Sequence, residues 1–160
     1  MKNYRVGLGF DVHRFSKIKK KLVLGGAIIS QDYGLEAVSD GDVVLHAVTD
    51  ALCGACGLGD IGDYFPPENK ESKDLDSKKI TAFILEKIEN NFCLVNMDII
   101  IVSEQPRLIS YKKKILNSLQ EIFSVSSINL KIKSKEGMDI LGNKDSMSCL
   151  VNVLVKYKKS

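Results

Sequence analysis

"VGLGFDVHRF" (residues 6–15) starts as an apolar run and ends with an aspartate and a histidine two residues apart. In an extended chain successive side chains point to opposite faces, so Val6, Leu8, Phe10 and Val12 share one side. Gly7, Gly9, Asp11 and His13 share the other. The first set reads as a core face. The second is two small residues followed by Asp11 and His13, which stand roughly 6.6 Å apart at two residues' rise and can lean onto one small target.

Outward from this strand, the hydrophobic periodicity predicts alternating elements. A strand is expected over 3–13, a second in "KLVLGGAII" (21–29), and a helix through "DVVLHAVTDALCGACG" (42–57) with Ser39 or Asp40 as its cap. A polar loop, "GDIGDYFPPENKESKDLD" (59–76), leads to a helix from about 77 to 90. Strands in "LVNMDIIIVS" (94–103), "INLKIKS" (128–134) and "SCLVNVLVKY" (148–157) complete the pattern, with a helix over 108–123 between the first two. The strand, helix, strand order from 94 to 134 suits a right-handed parallel crossover. The expected class is therefore mixed α/β (α+β), one sheet with helices mainly on one face, and the 160 residues read as a single domain, 1–160. The strands at 94–103 and 147–157 are apolar on both alternating sets, which a sheet covered on one side does not require. A partner subunit is the economical cover.

Composition narrows the function. With 44% hydrophobic and 27% charged residues the chain is an ordinary globular sequence. The first residues lack the apolar core of a secretory signal and no run approaches a membrane span, so a cytoplasmic protein with no membrane partner is expected. The 23 basic residues are almost all lysine, clustered at 17–21, 112–114 and 156–159, without the arginine stripes and interleaved aromatics of a nucleic-acid surface. No nucleic-acid partner is expected. The four cysteines include a lone C-x-x-C at 53–56 and read as packing residues.

The chain has two histidines, His13 and His46. His46 lies on the expected helix with Asp42 and Asp50 four residues to either side, on one face. Asp11, His13 and His46 make a carboxylate and two imidazoles, a three-ligand set that suits catalytic zinc and leaves a fourth position open. Asp50 or Asp42 would then hold the other ring nitrogen of His46. The neighbouring loop "GLGDIGDYFPP" (57–67) brings backbone N–H groups and Asp60 within reach of phosphates or hydroxyls. "KSKEGMD" (133–139) adds the Ser134 hydroxyl and the Glu136 carboxylate, on one side if the strand runs that far. Zinc at the triad, with Mg²⁺ or Mn²⁺ held by Glu136 and phosphate oxygens, would suit phosphoryl transfer on a small molecule.

The blocks "GLGFDVHRF", "SDGDVVLHAVTDALCGACGLGDIGDYFP" (39–66) and "SEQPRL" (103–108), with Glu136 after a later strand, resemble the 2-C-methyl-D-erythritol 2,4-cyclodiphosphate synthase family. The resemblance implies a homotrimer whose sheets enclose a central axis, with active sites between subunits. It implies zinc on Asp11, His13 and His46, one per subunit, and a second divalent cation on Glu136. It implies that Asp60, Ile61 and Gly62, continued by Phe65, Pro66, Pro67, Glu68 and Asn69, hold the methylerythritol hydroxyls. Ser103, Glu104, Gln105, Pro106, Arg107 and Leu108 would form a cytidine pocket offered by the neighbouring subunit. The implied reaction is intramolecular: the 2-phosphate of 4-diphosphocytidyl-2-C-methyl-D-erythritol 2-phosphate attacks the β-phosphorus and expels CMP.

The chain departs from that family at several positions. Val38, beside Ser39, stands where the family has a histidine thought to contact phosphate in the transition state. Ser134 replaces a threonine, keeping the hydroxyl, and Lys133 and Lys135 flank it. Lys135 pointing into the site would supply charge to the phosphates. Ile140 replaces an aromatic residue, and Asn143 replaces an arginine near the axis, with Lys144 beside it. Val38 and Asn143 are the grounds for an alternative, a catalytically weakened trimer that binds CDP-type or isoprenoid diphosphate ligands.

Overall fold

The computed structural model of the chain describes residues 3–66, 68–69, 74–139 and 141–158. Pro67 and Ile140, named above as site residues, lie outside these. Six strands and three α-helices follow in chain order: β1 (Tyr4–Arg14), β2 (Leu22–Leu24), β3 (Ala27–Ser30), α1 (Val43–Cys56), α2 (Ser77–Ile88), β4 (Phe92–Val102), α3 (Lys112–Phe123), β5 (Ile128–Lys133) and β6 (Ser146–Tyr157). Four strands form one sheet in the order β1-β6-β4-β5, antiparallel except for the β4/β5 pair that α3 connects. The mixed class is as expected.

The expected single strand at 21–29 is instead a separate two-stranded hairpin, β2/β3. Gly25 and Gly26 both adopt positive φ, a backbone region that only glycine enters without strain, and so they reverse the chain. Both turn amides donate to the Asp42 carboxylate, at 2.9 and 2.6 Å. The same carboxylate accepts from Val44 and Leu45 and caps α1, in place of Ser39 or Asp40. Complete burial pushes the Asp42 carboxyl up to about 6, against the pull of the Gly26, Leu45 and Gly25 N–H donors. One side chain thus ties the hairpin to the start of the central helix.

Helix α1 is buried along almost all its length, with only Asp50, Gly54 and Cys56 outside its buried set. A helix apolar nearly all round must be enclosed. Its neighbours are β1 and β6 on one side and α2 on another. α2 and α3 are amphipathic instead: α2 buries Ile80, Ile84 and Ile88, and α3 buries Ile115, Leu119 and Phe123, each at four-residue spacing while their lysines face outward.

The faces of β1 are reversed from the expectation. The glycine face packs on α1, while Val6, Leu8, Phe10 and Val12 are 63%, 68%, 43% and 38% exposed on the outer side of the sheet. The reason is distance. A Cβ on Gly7 or Gly9 would sit 1.8 Å from the carbonyl oxygen of Ala51 or Ala47, so strand and helix backbones meet where side chains would otherwise stand. The outer face continues through Leu150 and Leu154 of β6 and Ile100 of β4, all only partly covered. Among the cysteines, Cys53 and Cys149 are buried and Cys56 half-buried, but Cys93 is exposed and is no packing residue.

Gly9→Ala should destabilise the chain by roughly 3 kcal/mol or more, because neither backbone can yield. Gly54, with open space around it on α1, is the contrast: Gly54→Ala should be neutral or stabilising by up to about 1 kcal/mol. Urea midpoints of the two variants check the pair.

Candidate active site

The glycine contact decides where the polar ends of β1 and α1 meet. Past Gly9 the strand carries Asp11 and His13 on the same face, and in the helix His46 directly precedes Ala47, the residue whose carbonyl Gly9 meets. The Asp11 Oδ2 atom lies 2.8 Å from His13 Nε2 and 2.9 Å from His46 Nδ1, and the two nitrogens are 3.3 Å apart. Burial alone would raise the Asp11 carboxyl, but hydrogen bonds and charge from His13 and His46 outweigh it and hold it well below the usual carboxylate range. Burial lowers the His46 imidazole, yet Asp11 reverses this and leaves it above its ordinary value.

Three donor atoms this close form a ligand set. In a tetrahedral zinc site with bonds of 2.0–2.1 Å, the ligand atoms stand about 3.3 Å apart, near the spacings found here. Two imidazole nitrogens and a carboxylate oxygen are donors that a borderline metal accepts. Among the described residues this is the one cluster of three or more His, Cys, Asp or Glu side chains able to hold a metal ion.

Helical spacing predicted that Asp42 or Asp50 would hold the far nitrogen of His46, and neither does. His46 Nε2 faces the Ser77 and Ser39 hydroxyls at 2.9 and 3.1 Å. Asp42 is occupied at the helix cap. Asp50 accepts the Ile61 N–H at 2.9 Å and so fixes the loop that follows α1. Burial, and then the Asp60 and Asp11 charges, push its carboxyl up against the pull of that N–H. In the loop Asp60 accepts from Gly62 and Asp63 N–H, and Asp63 accepts from Asp60 N–H, a reciprocal cap on a single 3-10 turn at Ile61–Asp63.

A cavity of about 260 Å³ is lined by the triad together with Val38, Ser39, Ile61, Gly62 and Phe65. Asp60 sits at the turn's start, and Pro66, Glu68 and Asn69 follow it. Phe65 stacks edge-on against Phe83 of α2, with ring centres 5.3 Å apart. Val38 contributes no donor from its side chain.

The remaining expected residues gather elsewhere. A second cavity of about 280 Å³ is lined by Ser103, Glu104, Gln105, Pro106, Arg107 and Leu108 with Lys133 and Ser134, and shares no residue with the first. The Ser103 hydroxyl donates to the Gln105 carbonyl and shapes the loop. β5 stops at Lys133, and Ser134 and Glu136 face each other just beyond it, joined by a hydrogen bond. Glu136 is not part of the triad cluster within one chain. Lys135 does not point into either cavity. Its side chain is 1% exposed and its ammonium donates to the Asn143 carbonyl and the Ser146 hydroxyl at 2.5 and 2.8 Å, so it ties down the loop before β6. Burial lowers its pKa, with Asp139 and Glu104 pulling the other way.

The sequence profile of the YgbB family matches residues 4–156. The chain belongs to the YgbB family. A 2-C-methyl-D-erythritol 2,4-cyclodiphosphate synthase of Treponema denticola is 40% identical over 154 residues, covering 94% of this chain and 95% of that protein. A bifunctional IspD/IspF enzyme of Pelagibacter ubique is 41% identical over 92% of this chain, which spans only 40% of that longer protein. Among solved structures, the bifunctional IspDF from Campylobacter jejuni superposes with a TM-score of 0.91 at 34% identity, over 98% of this chain and 43% of that one. A 2C-methyl-D-erythritol-2,4-cyclodiphosphate synthase in its CDP-bound form superposes at 0.85 and 30% identity, over 94% and 99% of the two chains. No described helix is long and apolar enough to cross a membrane.

Removing one donor should dismantle the ligand set. His46→Ala and Asp11→Ala are expected to lose divalent metal by more than the roughly 10- to 100-fold that a supporting residue costs. Equilibrium dialysis followed by elemental analysis measures it.

Proposed function

We propose that the chain is a 2-C-methyl-D-erythritol 2,4-cyclodiphosphate synthase, a single catalytic unit over 1–160 that acts in the cytoplasm on a cytidine diphosphate substrate. The observation that carries this reading is the convergence of Asp11, His13 and His46 in one cavity with the Asp60–Gly62 turn. In the reaction a 2-phosphate oxygen bonds to the β-phosphorus as the bond from that phosphorus to the CMP oxygen breaks, and CMP leaves with the electron pair. No protein nucleophile is required, so positioning and charge neutralisation supply the rate.

In this reading Asp11, His13 and His46 hold Zn²⁺, and Glu136 a Mg²⁺ or Mn²⁺ with phosphate oxygens. Bound cations would neutralise phosphate charge as it redistributes. The chain's own groups do the rest. Asp60 accepts hydrogen bonds from the methylerythritol hydroxyls, and the Ile61 and Gly62 backbone and Phe65 shape the space around them. The Ser39 and Ser134 hydroxyls donate to phosphate, and the 103–108 loop takes the cytidine.

Assembly as a homotrimer is part of the proposal. Two features support it: the exposed apolar face of β1, and a triad cavity that shares no residue with the Ser103–Leu108 cavity or with Glu136. A neighbour's copy of that second cavity would complete the first. Light scattering should give a mass near three times 17.7 kDa. A clean monomer would sink this part.

Phosphorus NMR of the purified protein with substrate and Mg²⁺ should show cyclic diphosphate and CMP. Unchanged substrate would favour the weakened binder instead. Elemental analysis should find close to one zinc per chain. Val38→His would restore a donor to the cavity, and kcat should rise by as much as about 10²-fold, within the range that one pre-organised donor is worth.

A further inference from the structure

Ser77 lies 31 residues from His46, on another helix, and lines neither of the two cavities described above, yet its hydroxyl is 2.9 Å from His46 Nε2 and fully buried. The same hydroxyl is hydrogen-bonded to the Asp40 Oδ1 atom. Asp40 Oδ2 also accepts the Ser77 backbone N–H at 3.2 Å, so the carboxylate grips the residue twice.

This placement is built by the backbone. Asp40 N donates to the Leu75 carbonyl at 3.2 Å and Asp74 N to the Val38 carbonyl at 2.7 Å, so the segments before α1 and before α2 run zipped together. Asp76 caps α2 through Lys78 N–H, which sets Ser77 as the first residue of the helix, turned toward α1. Further along the same contact, the Thr49 and Thr81 hydroxyls meet at 3.0 Å.

Proton counting then fixes the direction of every bond. An ionised carboxylate only accepts, so the single Ser77 proton is committed to Asp40. The Ser77 oxygen can meet His46 Nε2 only as an acceptor, which requires the proton to be on Nε2. A neutral His46 with its proton on Nε2 presents a lone pair at Nδ1, the atom that faces Asp11 and His13. The Ser39 hydroxyl, 3.1 Å from the same Nε2 and already accepting from Gly41 N–H at 3.2 Å, has no lone pair of His46 to donate to. Its proton is left for the cavity that it lines.

We propose that Ser77, oriented by Asp40, is a positioning residue: the chain Asp40, Ser77, His46 holds the imidazole proton on Nε2, fixes the ring plane and raises the basicity of the metal-facing Nδ1. Carboxylate-backed imidazoles of this kind are the usual support of a metal-binding histidine, and here a serine is interposed. The inference rests on the metal reading of the triad.

The test is zinc alone, titrated into metal-stripped protein in competition with a chromophoric chelator, for wild type, Ser77→Ala, Ser77→Thr and Ser39→Ala. Ser77→Ala should bind zinc roughly 10- to 100-fold more weakly. Ser77→Thr, which keeps the hydroxyl, should recover most of that loss, and Ser39→Ala should bind within about threefold of wild type. In the zinc-loaded wild type the His46 Nε2 proton should appear as a slowly exchanging downfield resonance that Ser77→Ala loses. A urea midpoint for metal-free Ser77→Ala close to wild type would place the loss at the metal rather than in the fold. Unchanged zinc affinity in Ser77→Ala, or equal losses in Ser77→Ala and Ser39→Ala, would overturn the role of Ser77 while leaving the metal site standing. Failure of wild type to bind zinc would overturn the metal site and the inference together.

Discussion

The close contact between β1 and α1 is the constraint on which the rest of the molecule depends. Two residues of strand rise about 6.6 Å and four residues of helix about 6 Å, so a glycine at every second strand position can meet a carbonyl at every fourth helix position. Gly7 against Ala51 and Gly9 against Ala47 follow that match. Continuing it by one step brings Asp11 beside the turn of α1 that carries His46. Without the glycines the helix would ride higher on the sheet and the three donors would not converge.

Around that contact the structure gathers carboxylates and satisfies them mostly with backbone N–H groups. Asp42 takes four, Asp50 takes one from Ile61, and Asp60 and Asp63 cap the same short turn. These bonds order the hairpin, the helix start and the loop, but they leave Asp11, with its two imidazoles, as the carboxylate that faces the cavity among nitrogen donors. The negative charge at Asp11 favours a cation in this cavity over a bare anion. Lys135, next to Ser134 in sequence, is spent on holding a loop.

The sheet presents the opposite problem. Its inner face is covered by α1 over β1 and β6 and by α3 over β5, whereas its outer face leaves Val6 and Leu8 more than 60% exposed. Toward β5 the same face turns polar, where Asp98 bonds Lys131 at 2.6 Å and Asn129 at 2.8 Å. An apolar stripe beside a polar one is the pattern of a surface with a preferred partner and register. The sequence already pointed to an uncovered face, but from the alternation of later strands, and it assigned β1's own faces the wrong way round.

That reversal marks the boundary between what each level of description decides. Sequence alone determined the order of elements, the mixed class, the parallel crossover at β4/β5, the three residues that converge as a candidate ligand set and the glycine-punctuated loop beside them. Those features rest on periodicity and on residue chemistry, which are local. Only the tertiary structure decided which face of β1 is inside, because two glycines read as a missing core until a helix backbone is seen to fill their place. It also decided that Gly25 and Gly26 break a strand, that Lys135 is structural, and that Ser77 rather than Asp42 or Asp50 supports His46. Spacing along one helix can say which residues share a face, but the atom at the far side of an imidazole comes from whatever other element packs there, and that is set by the whole fold.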